Sequence, residues 1–164
     1  MRKLTGTGVV AAWLLTLAVA GYAVWGHERT LRDGELVLLR LAPVDPRSLM
    51  QGDYMALRFA VDQQLVASSG ERPDYVYLQL GNDARGVFAG VGEQPATEAG
   101  LMSLRIRWRA GGPSLGPNAF FFQEGTASLY EKARWGGFRV ARNGTALLTS
   151  LYDEDLQLLG RNRR

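Results

Sequence analysis

An uncharged apolar segment near the N-terminus constrains the fold of this chain more than any other feature. Residues 4–26 form a run of 23 residues without a charged side chain. A helix rises about 1.5 Å per residue, so about 20 apolar residues cross the hydrocarbon core of a bilayer. Arg2 and Lys3 precede the run, and positive charge before a span favours a cytoplasmic N-terminus. The sequence therefore predicts a transmembrane helix within residues 1–26 that places the rest of the chain outside the cytoplasmic membrane.

Two other interpretations of this segment remain open. Ala18-Val19-Ala20 has the small-x-small form of a signal-peptide cleavage site. The apolar stretch nevertheless continues to Tyr22 and Trp25, aromatic residues of the kind that prefer the membrane interface. The third interpretation is a helix buried within the domain, although the segment has no polar face. A membrane anchor and a cleaved signal peptide both export the remainder of the chain.

Composition excludes several classes of protein. The chain has no cysteine, which excludes disulfide scaffolds, zinc fingers and cysteine nucleophiles. Its single histidine, His27, is expected at the membrane interface. Without Arg2 and Lys3, 17 of the 19 basic residues remain against 16 acidic ones. A nearly neutral exported part lacks the basic surface that nucleic-acid binding requires. We therefore expect no nucleic-acid partner. We also expect no cofactor.

The exported part, residues 35–164, follows a polar linker over residues 27–34 and alternates short apolar runs with Gly, Pro and Asn turns. This pattern predicts an α+β fold in which a mostly antiparallel β domain with one soluble helix follows the transmembrane helix. The predicted strands cover residues 35–41, 55–61, 74–80, 86–91, 104–109, 118–122, 137–141 and 145–152.

Two local signals refine this assignment. Asn143-Gly144 separates the last two predicted strands and is a strong hairpin signal. The one soluble helix is predicted over residues 125–134, with Thr126 as its N-cap. The acidic run at residues 153–155 is expected to be a solvated turn after the last strand.

The densest motif of the chain is Pro-Val-Asp-Pro-Arg-Ser-Leu-Met-Gln-Gly-Asp-Tyr at residues 43–54. Asp45 can accept hydrogen bonds from the first turn of a short helix, and Pro46 suits the first helical position. Gly52 can end that turn in the left-handed conformation. The motif is therefore explained by a strand–turn–strand connector without chemistry.

The sequence also resembles the bacterial GDYXXLXY family. Phe59 replaces the last Tyr of the family motif, which removes a hydroxyl and retains an aromatic ring. The segment Phe-Phe-Gln-Glu-Gly at residues 121–125 is similar to that family as well. The resemblance implies a membrane-anchored protein of unassigned activity, often encoded beside multi-pass membrane proteins, and hence a membrane-protein partner. The motif residues that we expect to serve the partner are Asp45, Arg47, Gly52, Asp53, Tyr54, Leu57, Phe59 and Glu124.

An enzymatic interpretation is the alternative. Residues 49–53 resemble the Leu-x-x-Gly-Asp that follows the nucleophile of signal-peptidase-like serine enzymes, but Val44 occupies the nucleophile position. A Ser48–Lys132 dyad, or acid–base work by Asp53 and Glu124, would be the remaining route to a hydrolase. Each carboxylate also has a structural interpretation, Asp53 as an ion-pair partner in the turn and Glu124 as a helix cap. The favoured function is therefore a non-catalytic exported domain that binds a membrane-protein or envelope partner.

Charged side chains offer two further hypotheses. Arg105, Arg107 and Arg109 alternate with apolar residues, which predicts a strand with one charged face. That face is either the solvated side of a sheet or a contact for lipid phosphates. Carboxylates without histidine would suit only a hard ion such as calcium, and no ligand loop is visible. We therefore expect no metal site.

Overall fold

The computed structural model describes residues 2–42, 50–51, 54–67, 72–109 and 112–162. Its helices are α1 (Arg2–Asp33), α2 (Ala60–Ala67) and α3 (Ala127–Tyr130). Its strands are β1 (Glu35–Arg40), β2 (Met50–Gln51), β3 (Tyr54–Ala56), β4 (Tyr75–Leu80), β5 (Gly86–Gly92), β6 (Leu101–Arg105), β7 (Arg107–Arg109), β8 (Gly112–Ser114), β9 (Ala119–Phe121), β10 (Trp135–Val140), β11 (Ala146–Tyr152) and β12 (Leu158–Arg161).

The predicted fold class is confirmed. The strands of the described ranges form four sheets, in the orders β1-β10-β11-β12, β2-β3-β9, β5-β4-β6 and β7-β8. All strand pairs in these sheets are antiparallel. A long apolar helix precedes them, so the chain is an α+β protein with an N-terminal helix.

The N-terminal helix stands apart from the core. Residues 8–29 of α1 are all exposed, which rules out the interpretation of this segment as a buried helix. The part of α1 from Gly8 to Asp33 is long and apolar enough to span a bilayer, a test that a signal sequence also passes. The helix continues through the predicted polar linker, so Gly34 is the one residue between α1 and β1.

One apolar core joins the sheets. It contains alternate residues of the central strands, because successive side chains of a strand point to opposite faces. The predicted alternation near residue 105 is confirmed, since Leu104 and Ile106 are buried while Arg105 and Arg107 are exposed. The fully buried aromatic side chains of this core are Phe59, Phe120 and Phe138.

The predicted strand over residues 55–61 is wrong in its second half. β3 ends at Ala56, and α2 begins at Ala60. Val61 and Leu65 are both buried and stand four residues apart, the spacing of an amphipathic helix. The carboxylate of Asp62 accepts from the Phe59 N–H at 3.3 Å, which satisfies a backbone donor at the start of the helix. Among the described residues that follow α1, the chain therefore has two helices where the sequence predicted one.

The helix predicted over residues 125–134 is shorter than expected. α3 covers one turn, and Thr126 does not cap it through its side chain. Its hydroxyl instead donates to the Gln123 carbonyl at 2.6 Å. The acidic turn at residues 153–155 is confirmed, but β12 follows it and extends the first sheet.

The hairpin between β10 and β11 is confirmed. Val140 pairs with Ala146 in the ladder, and Gly144 adopts a φ of +81° in the turn. The Thr145 N–H donates to the Asn143 side-chain oxygen at 3.0 Å. Asn and Gly tolerate the backbone conformations that such tight turns require.

Candidate functional site: a cleft beside the motif

The described part of the GDYXXLXY motif, residues 54–59, packs one face against the core. Met55, Leu57 and Phe59 are buried, with Leu57 5% and Phe59 1% exposed. The residues between them, Ala56 and Arg58, are half-buried and exposed respectively. This alternation gives the motif an inner face that packs against the core and an outer face that is accessible to solvent.

The last motif position is a packing residue in this chain. The ring of Phe59 lies 5.1 Å from the ring of Phe138 in an edge-to-face arrangement. Two glycines make room for these rings, since a Cβ at Gly136 would lie 2.8 Å from Phe59 and one at Gly116 would lie 2.8 Å from Phe138. The aromatic ring that Phe59 retains therefore fills a closely fitted space in the core.

Tyr54 connects the motif to the second segment that carries the family resemblance. It pairs with Phe121 across β3 and β9, and the two rings lie 5.9 Å apart. Phe121 is the first residue of the Phe-Phe-Gln-Glu-Gly segment and is exposed. Two distant parts of the sequence thus meet on one sheet.

An open cleft of about 700 Å³ lies beside the outer face of the motif. Its walls come from the end of β3, from α2 and from the β7–β8 hairpin. The lining residues are Ala42, Ala56, Leu57, Arg58, Phe59, Asp62, Gln63, Val66, Arg109, Gly112, Pro113, Ser114 and Asn118. This cleft, which we call the motif cleft, is the candidate functional site.

Asp62 ties two walls of the motif cleft together. Its carboxylate accepts from the Phe59 N–H and from the Leu115 N–H, each at 3.3 Å. Burial raises the pKa of Asp62, and the two hydrogen bonds partly oppose that rise because they favour the charged form. Asp62 is not among the site residues predicted from the sequence. The signal that could have identified Asp62 is an acidic residue at the start of a segment whose apolar residues, Val61 and Leu65, have helical spacing.

The rim of the motif cleft is cationic. Arg58 and Arg109 both line the cleft and are exposed. No described carboxylate lies within ion-pair distance of either guanidinium. Asp62 also lines the cleft, but backbone donors engage its oxygens. The cleft can therefore accept carboxylate or phosphate groups, which arginine binds through paired hydrogen bonds.

Four of the predicted site residues, Asp45, Arg47, Gly52 and Asp53, lie outside the described part of the chain. The predicted turn around them and the partner role of these residues therefore stay predictions. Within the described part, no group of three His, Cys, Asp or Glu side chains could hold a metal ion.

Glu124 lies between β9 and α3, away from the lining of the motif cleft. It is exposed, and no hydrogen bond within the described residues makes it a cap of α3. Lys132 is exposed just after α3, while Ser48 lies outside the described residues. The hydrolase hypothesis, which needs Ser48 or Asp53, therefore stays a prediction.

Comparison with known proteins adds one finding. A protein-family profile described as "GDYXXLXY protein" matches residues 16–151, which is most of the chain. No match to a curated protein or to a solved structure was found. The match begins within α1 and extends through β10 to β11, so it includes the motif and the whole lining of the cleft.

Proposed function

This chain belongs to the GDYXXLXY protein family, and we propose that it is a non-catalytic domain, anchored in the cytoplasmic membrane, that binds an acidic segment of a membrane-protein partner. The observation that carries this proposal is the motif cleft, where Arg58 and Arg109 stand without a described carboxylate partner. The outer face of the family motif forms part of the same cleft.

The form of the motif cleft favours a peptide segment as its occupant. The cleft is open, and apolar atoms of Val66 and Pro113 lie in its lining beside the two arginines. An extended chain can place apolar side chains against the wall while its carboxylates reach the guanidinium groups. Electrostatic complementarity of this kind selects the partner and speeds its association.

The anchor limits where the partner is found. In this proposal α1 spans the cytoplasmic membrane, and Arg2 and Lys3 keep its N-terminus inside. The domain then lies on the outer, periplasmic side, close to the membrane surface. A partner in the same membrane meets the motif cleft at a high effective concentration, so a modest affinity is sufficient.

Site-directed photo-crosslinking in native membranes tests the proposal. A photoreactive residue replaces Gln63, an exposed residue of the cleft lining, in the full-length chain. We expect one crosslinked membrane protein, and at least a fivefold weaker crosslink when Arg58→Gln and Arg109→Gln are combined. Each exposed interfacial charge pair typically contributes about 1 kcal/mol or less, so two pairs are needed for a clear effect.

Arg107→Gln is the matched control, because Arg107 lies on the same strand as Arg109 and does not line the cleft. The crosslink should keep its wild-type yield in this variant. A crosslink that the Arg58→Gln and Arg109→Gln changes leave intact, or no crosslink from position 63, would contradict the proposal.

A further inference from the structure

The junction between α1 and the β domain holds the domain in a defined position on the helix. The Gly34 N–H donates to the Thr30 carbonyl at 3.0 Å. The Arg139 guanidinium donates to the Gly34 carbonyl at 2.9 Å, which links β10 to the same point. Thr30 is buried at this contact. The turn between β10 and β11 therefore lies beside the last turns of α1.

A second cavity, of about 580 Å³, lies between that turn and α1. The helix contributes Tyr22, Trp25 and Arg29 to its lining, and the turn contributes Arg142 and Asn143. We call it the junction cavity. It shares no lining residue with the motif cleft.

The aromatic side chains of the junction cavity are typical of a membrane interface. Tyr22 is 76% and Trp25 is 55% exposed, and both lie near the C-terminal end of the uncharged run of residues 4–26. The guanidinium carbon of Arg29 lies 5.6 Å from the centre of the Trp25 ring. Tyr and Trp at the end of a span prefer the level of the lipid headgroups. The cavity is therefore placed where headgroups would be, if α1 spans the bilayer.

The charge of the junction cavity is positive. Asp33 lines the cavity, and its carboxylate lies 3.1 Å from Arg32 and 3.9 Å from Arg29. That one carboxylate is thus shared between two arginines. Arg142 is exposed, and no carboxylate of the described chain pairs with it. An anion between Arg29 and Arg142 would complete the charge balance.

We propose that the junction cavity binds the phosphate of an anionic phospholipid in the leaflet that faces the β domain, an inference that rests on the proposed anchoring by α1. Arg29 and Arg142 hold the phosphate through charge-assisted hydrogen bonds, as guanidinium groups do. Asn143 has an amide group that can donate to a headgroup hydroxyl. The acyl chains lie along the apolar part of α1, which continues from the cavity into the bilayer. This continuity favours a lipid over free phosphate.

Native mass spectrometry of the full-length protein released from detergent micelles tests this site. Phosphatidylglycerol and phosphatidylcholine are titrated separately, and inorganic phosphate is added as a competitor. We expect one phosphatidylglycerol molecule to bind before others, and excess inorganic phosphate to leave it in place. A basic residue near a membrane surface contributes about 1 kcal/mol, which is about fivefold in the dissociation constant. Combining Arg29→Gln with Arg142→Gln should therefore weaken binding about 25-fold.

The charge-matched control combines Arg107→Gln with Arg161→Gln, two exposed arginines outside the junction cavity. We expect this control to bind within about twofold of wild type, because neither arginine lines the cavity. Both double variants remove two positive charges, so a difference between them reports the site and not the net charge. Equal weakening in both double variants would overturn the site, and so would displacement of the lipid by inorganic phosphate. Equal binding of phosphatidylcholine would overturn the preference for an anionic headgroup.

Failure of the site and failure of the anchor are distinguishable. If α1 is the anchor, the Arg29→Gln and Arg142→Gln variant still sediments with membranes and needs detergent for release. In that case unchanged lipid binding refutes the junction site alone. Recovery of the wild-type chain from the soluble fraction without detergent would refute the anchoring on which the site rests.

Discussion

Asp62 combines three structural roles in a single side chain. It lies in the first turn of α2, accepts hydrogen bonds from two backbone N–H groups, and lines the motif cleft. A carboxylate removed from water is less stable in its charged form, so burial raises its pKa. Asp62, which lines the cleft, therefore also makes the stability of the protein depend on pH.

We predict that the Asp62 carboxyl group makes the folded protein less stable as the pH rises. The unfolded chain binds this proton with a pKa of about 3.8, and the folded chain binds it more tightly. The free energy of unfolding therefore decreases from about pH 3.8 up to the pKa of the folded protein, and this contribution is constant above it. The Asp62→Asn variant has no carboxyl group to titrate at this position. The free energy of unfolding of the wild type minus that of the variant should therefore decrease across that window, when chemical unfolding is measured between pH 3.5 and 7.

Asp155→Asn, in the exposed turn before β12, controls for the general effect of removing an acidic residue. The difference in the free energy of unfolding between wild type and Asp155→Asn should vary less over the same pH range. If the Asp62→Asn difference is flat from pH 3.5 to 7, or increases with pH, the carboxylate is not held in the unfavourable environment that its burial indicates.

Among the elements, the contact between α1 and β1 determines how the domain sits on its helix. Only Gly34 separates the two elements, and its backbone is bonded on both sides, to Thr30 and to Arg139. A Cβ at this position would overlap the Thr30 carbonyl oxygen and lie 3.1 Å from the Val140 nitrogen. Backbone atoms of two elements therefore leave space for glycine alone.

We predict that Gly34→Ala loosens this junction. The added methyl must push apart the end of α1 and β10, and overpacking of this kind costs about 1–3 kcal/mol. The melting temperature in detergent should fall, and hydrogen exchange should become faster at residues 34–37. Gly26→Ala is the control, since a Cβ there meets nothing within 4 Å and alanine favours a helix. Equal melting temperatures for the two variants would contradict the close fit at Gly34.

Across the whole molecule, the apolar surface of α1 is separate from the core of the β domain. The described core cluster begins at Val37 and contains no residue of α1. Residues 8–29 are exposed, so their apolar surface needs a partner outside the chain. A bilayer is the environment that satisfies such a helix, because its backbone hydrogen bonds are internal.

At this scale we predict that removal of residues 1–26 releases the chain into solution with its fold intact. The truncated protein should appear in the soluble fraction, and the full-length protein should stay with membranes after alkaline extraction. Far-ultraviolet circular dichroism should show the β-rich fold, with a cooperative thermal transition, because the core loses no residue. Aggregation or a non-cooperative transition of the truncated chain would show that α1 contributes to folding.

The sequence alone determined the features that depend on local patterns. An apolar run of 23 residues predicts a span by length, and alternation near Arg105 predicts a strand whose polar side is exposed. Asn143-Gly144 determines the hairpin because these residues tolerate the turn conformation. The family motif could be identified from its residues in the same way. These signals act over a few neighbouring positions, so they need no knowledge of the fold.

Only the tertiary structure decided the arrangement of the candidate sites. The change from strand to helix after Ala56 depends on Asp62, which bonds to Leu115, 53 residues further along the chain. The packing role of Phe59 depends on Phe138 and on the space that Gly136 leaves. The motif cleft and the junction cavity likewise form between segments that are distant in sequence. Local preference cannot specify such contacts, because the folded core, through burial and hydrogen bonding together, determines which distant residues meet.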